Sequence, residues 1–546
     1  MSSVLKTLDL QEFFAVCLKL SDKYGLSGDA IKKDLEEMAS FRVTTPIIGG
    51  FSTGKSSMIN AILGETLLKT QITAETAVPT EIYYGKNRVF YYQNGQVQEL
   101  RIEQFIEEDI DTYTTKLVKI EYNHDFLKQI PKVKIVDMPG FDSGIELHNK
   151  AIDLYLPNSL AYIVTFSADE PVIKESIANF LKELKLHEVP VYVVITKCDK
   201  VSAEELEENI RYFRTNIPAL LGIKDVKIAC VKSKRDKNVE EVKQFLAEIQ
   251  QKSEQIFEEN YFRKLKSHTS LVEKYIQSRL HNHELSSSEL EQKEKELEKE
   301  VAEISLKLEK EKSKFETQLQ KCIDSIKVKI SSDLSSSQST LEAMILNGKD
   351  ITEKVNFIVR SAVIAGIKSE FEPKLQMHLK NVSELIQINA IMDTEIKIDD
   401  VKIATDTMVK DLVVKSLPVI LATIGGVIAG GPIGAIIAGA IGIFIESFFK
   451  SKQEKEKREL AKQKVARELI PHIVDVAGSN VETELTAYLD QVNEEIQADI
   501  EKQKQLMKQA LADVKKEKQK EEELQKEQLR ELTHDLGKVR EMVDGI

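Results

Sequence analysis

A glycine-rich segment near the N-terminus has the residue types and spacing needed to bind phosphate. The sequence Gly49–Ser56 reads GGFSTGKS, follows a strand pattern at Pro46–Ile48 and precedes a helix pattern at Ser57–Leu63. It fits GxxxxGK[ST], in which glycines let backbone N–H groups curl around a phosphate and the helix dipole adds positive charge. Lys55 would then reach the β- and γ-phosphates, and the Ser56 hydroxyl would ligate Mg²⁺. The predicted nucleotide contacts here are Gly50, Phe51, Ser52, Thr53, Gly54, Lys55, Ser56 and Ser57.

A second element, DMPG at residues 137–140, ends the strand pattern VKIVD. Asp137 is predicted to hold Mg²⁺ through water, and the Gly140 N–H to contact the γ-phosphate. The segment TAETAVPTEI lies between the two elements, where a loop should supply another Mg²⁺ ligand. Thr76 is the predicted ligand, with Thr73 and Thr80 as alternatives within the same segment.

Recognition of the base is predicted from TKCD at residues 196–199, which ends the strand pattern VYVVIT. The Asp199 carboxylate can accept two hydrogen bonds from guanine, a pattern that adenine does not offer, so GTP is favoured over ATP. The stem of Lys197 would cover the base, and Thr196 belongs to the same element. A less specific element, VKSK, follows the last strand and makes Lys232 and Ser233 candidates to support the base.

Two kinds of apolar pattern divide the chain. Between residues 41 and 250, short apolar strands alternate with helices, which predicts an α/β P-loop GTPase domain with a mostly parallel, doubly wound sheet. Later segments carry a seven-residue rhythm of apolar residues among Glu and Lys, which predicts a long all-α helical bundle. The predicted strands are Val43–Ile48, Thr80–Tyr84, Val89–Tyr92, Val97–Leu100, Leu117–Tyr122, Val133–Asp137, Ala161–Phe166, Val191–Thr196 and Val226–Val231.

The resulting domain boundaries place the helical parts on both sides of the GTPase domain. We expect neck helices at 1–40, the GTPase domain at 41–250, a helical stalk at 251–410, an apolar hairpin at 411–450 and returning helices at 451–546. The N-terminal helices are expected to pack with the returning helices as a neck that links nucleotide state to stalk angle.

The segment Ser416–Ile445 carries no charge and is rich in Gly, Ile and Ala. Pro418 and the Gly430–Pro432 break divide it into two arms of about a dozen residues, whereas a transmembrane helix needs about 20. We therefore expect a helical hairpin at the stalk tip, with flanking lysines suited to anionic lipid headgroups. A hairpin held within the helical core or in a groove of the GTPase domain is the alternative, and nucleotide could release it from that position.

Composition excludes some classes of function. The chain has 546 residues, a formal net charge of −13 and no Trp, which argues against a general nucleic-acid binder because phosphate backbones require clustered positive charge. Four cysteines lie far apart without CxxC spacing, so neither a disulfide framework nor a zinc site is indicated. The N-terminal segment contains acidic residues and no cleavage pattern of a secretory leader, so a cytoplasmic protein is expected.

At these motifs the chain resembles the dynamin superfamily, especially the bacterial dynamin-like large GTPases. The similar elements are GGFSTGKSS, MINAILG, TAVPTE, DMPG and TKCD. The resemblance implies a GTPase of low nucleotide affinity that dimerises across its nucleotide sites and acts on the cytoplasmic face of a membrane. It also implies GTP and GDP, a second copy of the chain and anionic lipids as partners, with a paralogue as a further one. No nucleic acid is expected.

One departure bears on catalysis. Ras-like enzymes carry Gln after the DxxG glycine to orient water, whereas this chain has Phe141. Ser52 matches a family position implicated in transition-state stabilisation with a monovalent cation, K⁺ or Na⁺. We therefore expect slow basal turnover, with Ser52, Lys55, Thr76 and Gly140 as the catalytic residues and dimerisation ordering the loops around them.

Two other functions share these motifs. A regulatory GTPase of the Era or TrmE type would act on RNA or ribosomes, and its mark would be a basic face with stacking aromatics. A slow GTP switch on a coiled-coil scaffold would control partner binding, and Phe51 and Phe141 favour it because neither side chain can orient water. The scaffold switch differs from a membrane-remodelling GTPase in its expected GTP turnover, which neither dimerisation nor lipid would raise.

Overall fold

The computed structural model describes residues 2–69, 78–93, 95–107, 115–140, 155, 159–187, 189–233, 238–385, 439, 441, 462–518 and 522–544. Thr73, Thr76 and almost all of the apolar segment 411–450 lie outside the described residues. Within the described part, the strands are β1 Val43–Gly49, β2 Thr80–Tyr84, β3 Arg88–Gln93, β4 Gln96–Arg101, β5 Thr115–Tyr122, β6 Val133–Asp137, β7 Tyr162–Ser167, β8 Val191–Thr196 and β9 Lys227–Cys230.

These strands form one sheet in the order β4-β3-β5-β2-β6-β1-β7-β8-β9. The centre is parallel: β1 lies between β6 and β7, and β8 lies between β7 and β9. Strands β1, β7 and β8 are buried along their whole lengths, although Thr44 and Thr45 interrupt the apolar residues of β1 and Thr165 those of β7. The parallel arrangement brings the carboxyl ends of β1, β6, β7 and β8 to one edge, where ligands bind in open α/β sheets.

Antiparallel pairing is confined to the other side of the sheet. Strands β3 and β4 form a hairpin in which Gln93 pairs with Gln96 and Gly95 has φ of 79°. Gly95 belongs to an Asn-Gly pair, a sequence typical of two-residue hairpin loops, which need positive φ. Apolar layers cover both faces of the sheet, and the helices associated with it are α3 Lys55–Leu63, α4 Ile102–Glu107, α5 Asp125–Gln129, α6 Glu175–His187 and α7 Ala203–Leu221.

The remaining described helices form a long bundle. They are α1 Ser2–Lys23, α2 Asp29–Ser40, α8 Glu240–Asn282, α9 Ser287–Ser336, α10 Gln338–Leu346, α11 Thr352–Gly366, α12 Glu372–Leu385, α13 Ile470–Glu517 and α14 Glu522–Asp544. Short π-helical turns at Ile367–Phe371 and Val465–Leu469 precede α12 and α13. The seven-residue rhythm is confirmed in α9, where the buried residues include Leu290, Leu297, Val301, Ile304, Leu308 and Phe315.

Helix α8 joins the sheet domain to the bundle without a break. Its first turns bury Val242 and Phe245 beneath the sheet, and later turns bury Phe257 and Tyr261 in the helical core. It is 43 residues long, so residue 250 falls inside one continuous helix. Rotation of the sheet domain would therefore be carried into the bundle as a tilt of α8.

The two ends of the chain meet beside α8. The Tyr24 hydroxyl at the end of α1 donates to Asp535 Oδ2 of α14 at 2.8 Å, and the Tyr275 hydroxyl of α8 donates to Asp513 Oδ2 of α13 at 2.6 Å. Farther along the bundle, α11 lies against α6 of the sheet domain. Among the described residues, both α8 and α11 therefore connect the bundle to the sheet domain.

No helix in the described ranges combines the length and the apolar character that crossing a membrane requires.

Candidate nucleotide site

The phosphate loop between β1 and α3 has the backbone shape of an anion-binding turn. Ser52 and Gly54 have φ of 60° and 87°, both in the left-handed region. Glycine adopts that region at little cost, whereas Ser52 does so at a cost in conformational energy. Successive residues in such conformations turn their N–H groups towards a common centre, where a phosphate can accept them.

Lys55, Ser56 and Asp137 lie together under this loop. Lys55 is only 8% exposed, and its Nζ donates to the carbonyl oxygens of Gly49 and Gly50 at 3.4 and 3.2 Å. The Ser56 hydroxyl donates to Asp137 Oδ2 at 2.5 Å. Burial raises the pKa of the Asp137 carboxyl, and the Lys55 charge and the Ser56 hydrogen bond oppose that rise. The site therefore holds an acidic group whose charge calls for a compensating cation.

These groups fit Mg²⁺. The donors are a hydroxyl and a carboxylate, the oxygen ligands that this hard cation prefers. Asp137 Oδ1 is buried and accepts no hydrogen bond from the described residues, so it is available to a metal-bound water. A cation beside Ser56 would also offset the cost of burying the Asp137 charge.

Two threonines from neighbouring strands hold the phosphate loop. The Thr165 hydroxyl of β7 donates to the Ile48 carbonyl at 3.0 Å and lies 2.9 Å from the Thr53 hydroxyl. The Thr196 hydroxyl of β8 donates to the Phe166 carbonyl at 3.1 Å and also to the Thr53 carbonyl. Thr196, predicted to contact the nucleotide, is therefore placed with its side chain against the loop backbone.

Gly49 and Gly140 allow neighbouring parts of the site to pack at distances that a side chain would prevent. A Cβ on Gly49 would lie 2.2 Å from the Thr165 hydroxyl, and a Cβ on Gly140 would lie 2.9 Å from the Phe51 Cα. Gly140 thereby lets the end of β6 touch the phosphate loop, where its N–H was predicted to act. Phe51 is 37% exposed on the outer side of this contact.

The predicted base-recognition elements lie side by side at the ends of β8 and β9. Lys197 has φ of 56°, and Asp199 is exposed in the loop that follows β8. The Cys198 N–H donates to the Val231 carbonyl at 3.2 Å, which joins the two loops. Lys232 forms a short antiparallel bridge with Asn238, next to Ser233. The proposed roles of Lys232 and Ser233 towards the base rest on this adjacency.

Asp169, in the loop after β7, was not found from the sequence. Its carboxylate accepts from Lys197 Nζ at 3.4 Å and from Lys200 Nζ at 2.6 Å. Burial raises the pKa of Asp169, but hydrogen bonds from Lys200 and Ser167 outweigh it and lower the pKa to about 2. Asp169 thus stays charged and holds Lys197, the side chain predicted to cover the base. No local motif marks it, because the contact joins two separate loops.

We expect Asp169→Asn to weaken guanine-nucleotide binding by a factor of about 1.4 to 5, because a partly exposed ion pair contributes roughly 0.2–1 kcal/mol. The amide would still accept a hydrogen bond but would no longer hold the lysine by charge. Titration of a fluorescent GDP analogue measures the affinity. Glu170→Gln is the matched control, since this neighbouring carboxylate is exposed. Equal affinities for the two variants would contradict the role given to Asp169.

Comparison with known proteins places this site in a family. Residues 46–198 match the family model described as the dynamin family. An uncharacterized protein from the xynA 3′ region of Caldicellulosiruptor sp. (strain Rt8B.4) is 30% identical over 210 residues, which cover 36% of this chain and 48% of that protein. Dynamin-like protein 1 of Campylobacter jejuni is 24% identical over 234 residues, which cover 35% of this chain and 32% of that protein.

One solved structure is described as an oligomerised bacterial dynamin pair that provides a mechanism for the long-range sensing and tethering of membranes. The match covers 99% of this chain and 81% of the chain in that structure. Its TM-score is 0.43, at 16% sequence identity. The chain spans about half or less of the length of the curated relatives above. The family match contains the whole phosphate loop, DMPG, and Thr196 and Lys197 of the base loop. The part of the chain that holds this site, residues 46–198, is therefore similar to the dynamin family.

Proposed function

We propose that this protein hydrolyses GTP to GDP and couples nucleotide-dependent dimerisation to membrane binding or remodelling. The observation that carries the proposal is the grouping of Lys55, Ser56 and Asp137 beneath a phosphate loop, at the sheet edge that also bears the Lys197–Asp199 loop. Lys55, Ser56 and Asp137 suit a triphosphate with its metal, and the Lys197–Asp199 loop suits a guanine base.

Each residue has a defined task in this proposal. Lys55 exchanges the carbonyls of Gly49 and Gly50 for phosphate oxygens when the nucleotide enters. Ser56 and Asp137 would hold Mg²⁺, which neutralises charge that develops on the phosphates. Ser52 and the Gly140 N–H, with Thr76 from the segment outside the described residues, would position the attacking water. A monovalent cation, K⁺ or Na⁺, would bind beside Ser52.

Phe141 stands where a water-orienting glutamine would be, so an isolated chain is expected to turn over slowly. Dimerisation across the nucleotide sites would order the loops that position water and would raise the rate. The continuous helix α8 gives a route for the resulting motion, because it is buried both beneath the sheet and within the bundle. GTP state would then set the angle between the sheet domain and the bundle.

Lipid contact is assigned to the apolar segment 411–450. Ile441, described apart from its immediate neighbours, is buried against the helical core. This supports a shielded state in which contact with lipid requires release of the segment. Lysines lie on either side of the uncharged stretch Ser416–Ile445, among them Lys410, Lys415 and Lys450. They would add attraction to anionic headgroups, each worth about 1 kcal/mol near a membrane surface.

The proposal is tested by GTP turnover measured against protein concentration, with and without liposomes of anionic lipid. Turnover per molecule is expected to rise with concentration and to rise further with liposomes. A chain lacking Leu417–Phe449 should keep the concentration dependence and lose both the lipid response and sedimentation with liposomes. Lys55→Ala provides the blank. A flat rate that lipid does not alter would favour the switch on a scaffold, and an unchanged lipid response after the deletion would remove the segment from the proposal.

A further inference from the structure

Two cysteines lie at the junction of the base-recognition loops. Cys198 stands between Lys197 and Asp199, and Cys230 is the last residue of β9. In the register of β8 and β9, Cys230 pairs with Ile195, and the Cys198 thiol donates to the carbonyl of Ile195 at 3.1 Å. The Cys198 N–H also donates to the carbonyl of Val231, the residue that follows Cys230, at 3.2 Å. The fold therefore forms a thiol pair from residues that are 32 positions apart in the sequence.

The surroundings of this pair differ from those of the other cysteines. Cys198 is buried, whereas Cys230 is partly exposed and so reachable from solvent. The hydrogen bond from Cys230 lowers the pKa of the Cys198 thiol, and the same contact together with burial raises that of Cys230. Cys17 and Cys322 are buried in the helical bundle, and burial raises the pKa of each. Thiolate character is thus concentrated at Cys198, and thiolates are the reactive form.

We propose that Cys198 and Cys230 form a reversible disulfide when the protein meets a peroxide, and that this bond weakens guanine-nucleotide binding. The Cys198 thiolate attacks one peroxide oxygen, the O–O bond breaks, and the leaving oxygen departs as water after taking up a proton. The Cys230 sulfur then attacks the Cys198 sulfenic acid and releases a second water. In total, two thiols lose two electrons and two protons, and hydrogen peroxide becomes two waters.

The consequence for binding follows from the position of the pair, and it rests on the proposed function. A disulfide holds the two sulfurs at covalent distance, so it constrains how the two loops lie relative to each other. Asp199 is adjacent to one sulfur, and Lys232 and Ser233 follow shortly after the other. Misplacing the Asp199 carboxylate loses hydrogen bonds between a charged group and the base, so we expect affinity to fall about tenfold or more.

The test treats the full chain with hydrogen peroxide, then maps its disulfides by mass spectrometry and titrates a fluorescent GDP analogue. A peptide linked through Cys198 and Cys230 is expected, with weaker binding that dithiothreitol restores. Cys230→Ser should bind as the reduced protein does and should not respond to peroxide. Cys322→Ser, which alters a buried thiol far from the site, should respond as the unmodified chain does.

Absence of the linked peptide would overturn the proposal, and so would a linked peptide accompanied by unchanged affinity. A peroxide response that persists in both Cys230→Ser and Cys198→Ser would assign it to other residues and would also overturn it. If the reduced chain bound no guanine nucleotide, the proposed function and the regulatory consequence would both fail. The linked peptide would in that case still establish the thiol pair as an oxidation site.

Discussion

Replacing Lys55 by alanine is expected to lower GTP turnover by about two to three orders of magnitude, the loss typical when one stabilising group is removed from a transition state. The side chain is buried beneath the phosphate loop and is held by two backbone carbonyls, so it has few other positions to occupy. Its charge also opposes the rise in the pKa of Asp137 that burial causes. The variant therefore loses the phosphate contact and also weakens the Mg²⁺ site.

Single-turnover hydrolysis at saturating GTP separates this loss from a simple loss of affinity. Lys86→Ala is a suitable control, since Lys86 is an exposed lysine on the same domain. Thermal unfolding of the Lys55→Ala protein measures any loss of stability separately, because Gly49 and Gly50 are buried and each loses a hydrogen-bond donor. Turnover within tenfold of the unmodified chain would show that catalysis does not depend on this loop.

Local patterns predicted the sheet for a physical reason, and they give a definite prediction for the phosphate loop. Strands buried on both faces of a parallel sheet are mostly apolar, so β1, β7 and β8 are visible as short segments rich in Val, Ile and aromatic residues. A loop that binds phosphate through its backbone needs glycines and a lysine at fixed intervals, whatever surrounds it. Such requirements are imposed within a few residues, and the sequence shows them directly.

Residues that act through contacts between separate loops were missed. Thr165 reads as one more residue of a buried strand, yet its hydroxyl supports the phosphate loop. Asp169 lies in an unremarkable loop and reaches Lys197 only because β7 and β8 are adjacent. Cys198 and Cys230 were read as isolated thiols, because only the β8–β9 pairing brings them together. Pairing between distant segments is decided by the whole fold.

The junction between domains illustrates a further limit. The change from strand to helix patterns suggested a boundary at residue 250, but the structure has one helix through that position. Periodicity reports which face of a helix is buried and does not report what buries it. Helix α8 keeps its rhythm while its partner changes from the sheet to other helices, so no signal marks the change.

We expect Glu517→Ala to destabilise the helical bundle by about 3–5 kcal/mol, the usual cost of leaving one member of a buried ion pair alone. Glu517 ends α13 and accepts a hydrogen bond from the Arg279 guanidinium of α8. Their side chains are 6% and 10% exposed, so water cannot replace the lost partner. The Arg279 guanidinium also lies over the rings of Tyr24 and Tyr275, which ties the α1 end to the same point.

Urea unfolding followed by circular dichroism measures this effect as a shift of the transition midpoint. Glu303→Ala is the matched control, because its partner Lys299 is 80% exposed and such pairs contribute at most about 1 kcal/mol. The double variant Arg279→Met, Glu517→Leu should recover most of the loss, since it removes the stranded charge and fills the space with apolar atoms. If Glu517→Ala shifted the midpoint no more than Glu303→Ala, the bundle would not depend on this pair. Recovery in the double variant would show that the cost lies in the uncompensated Arg279 charge, and that the pair defines how α8 and α13 meet more than it stabilises the fold.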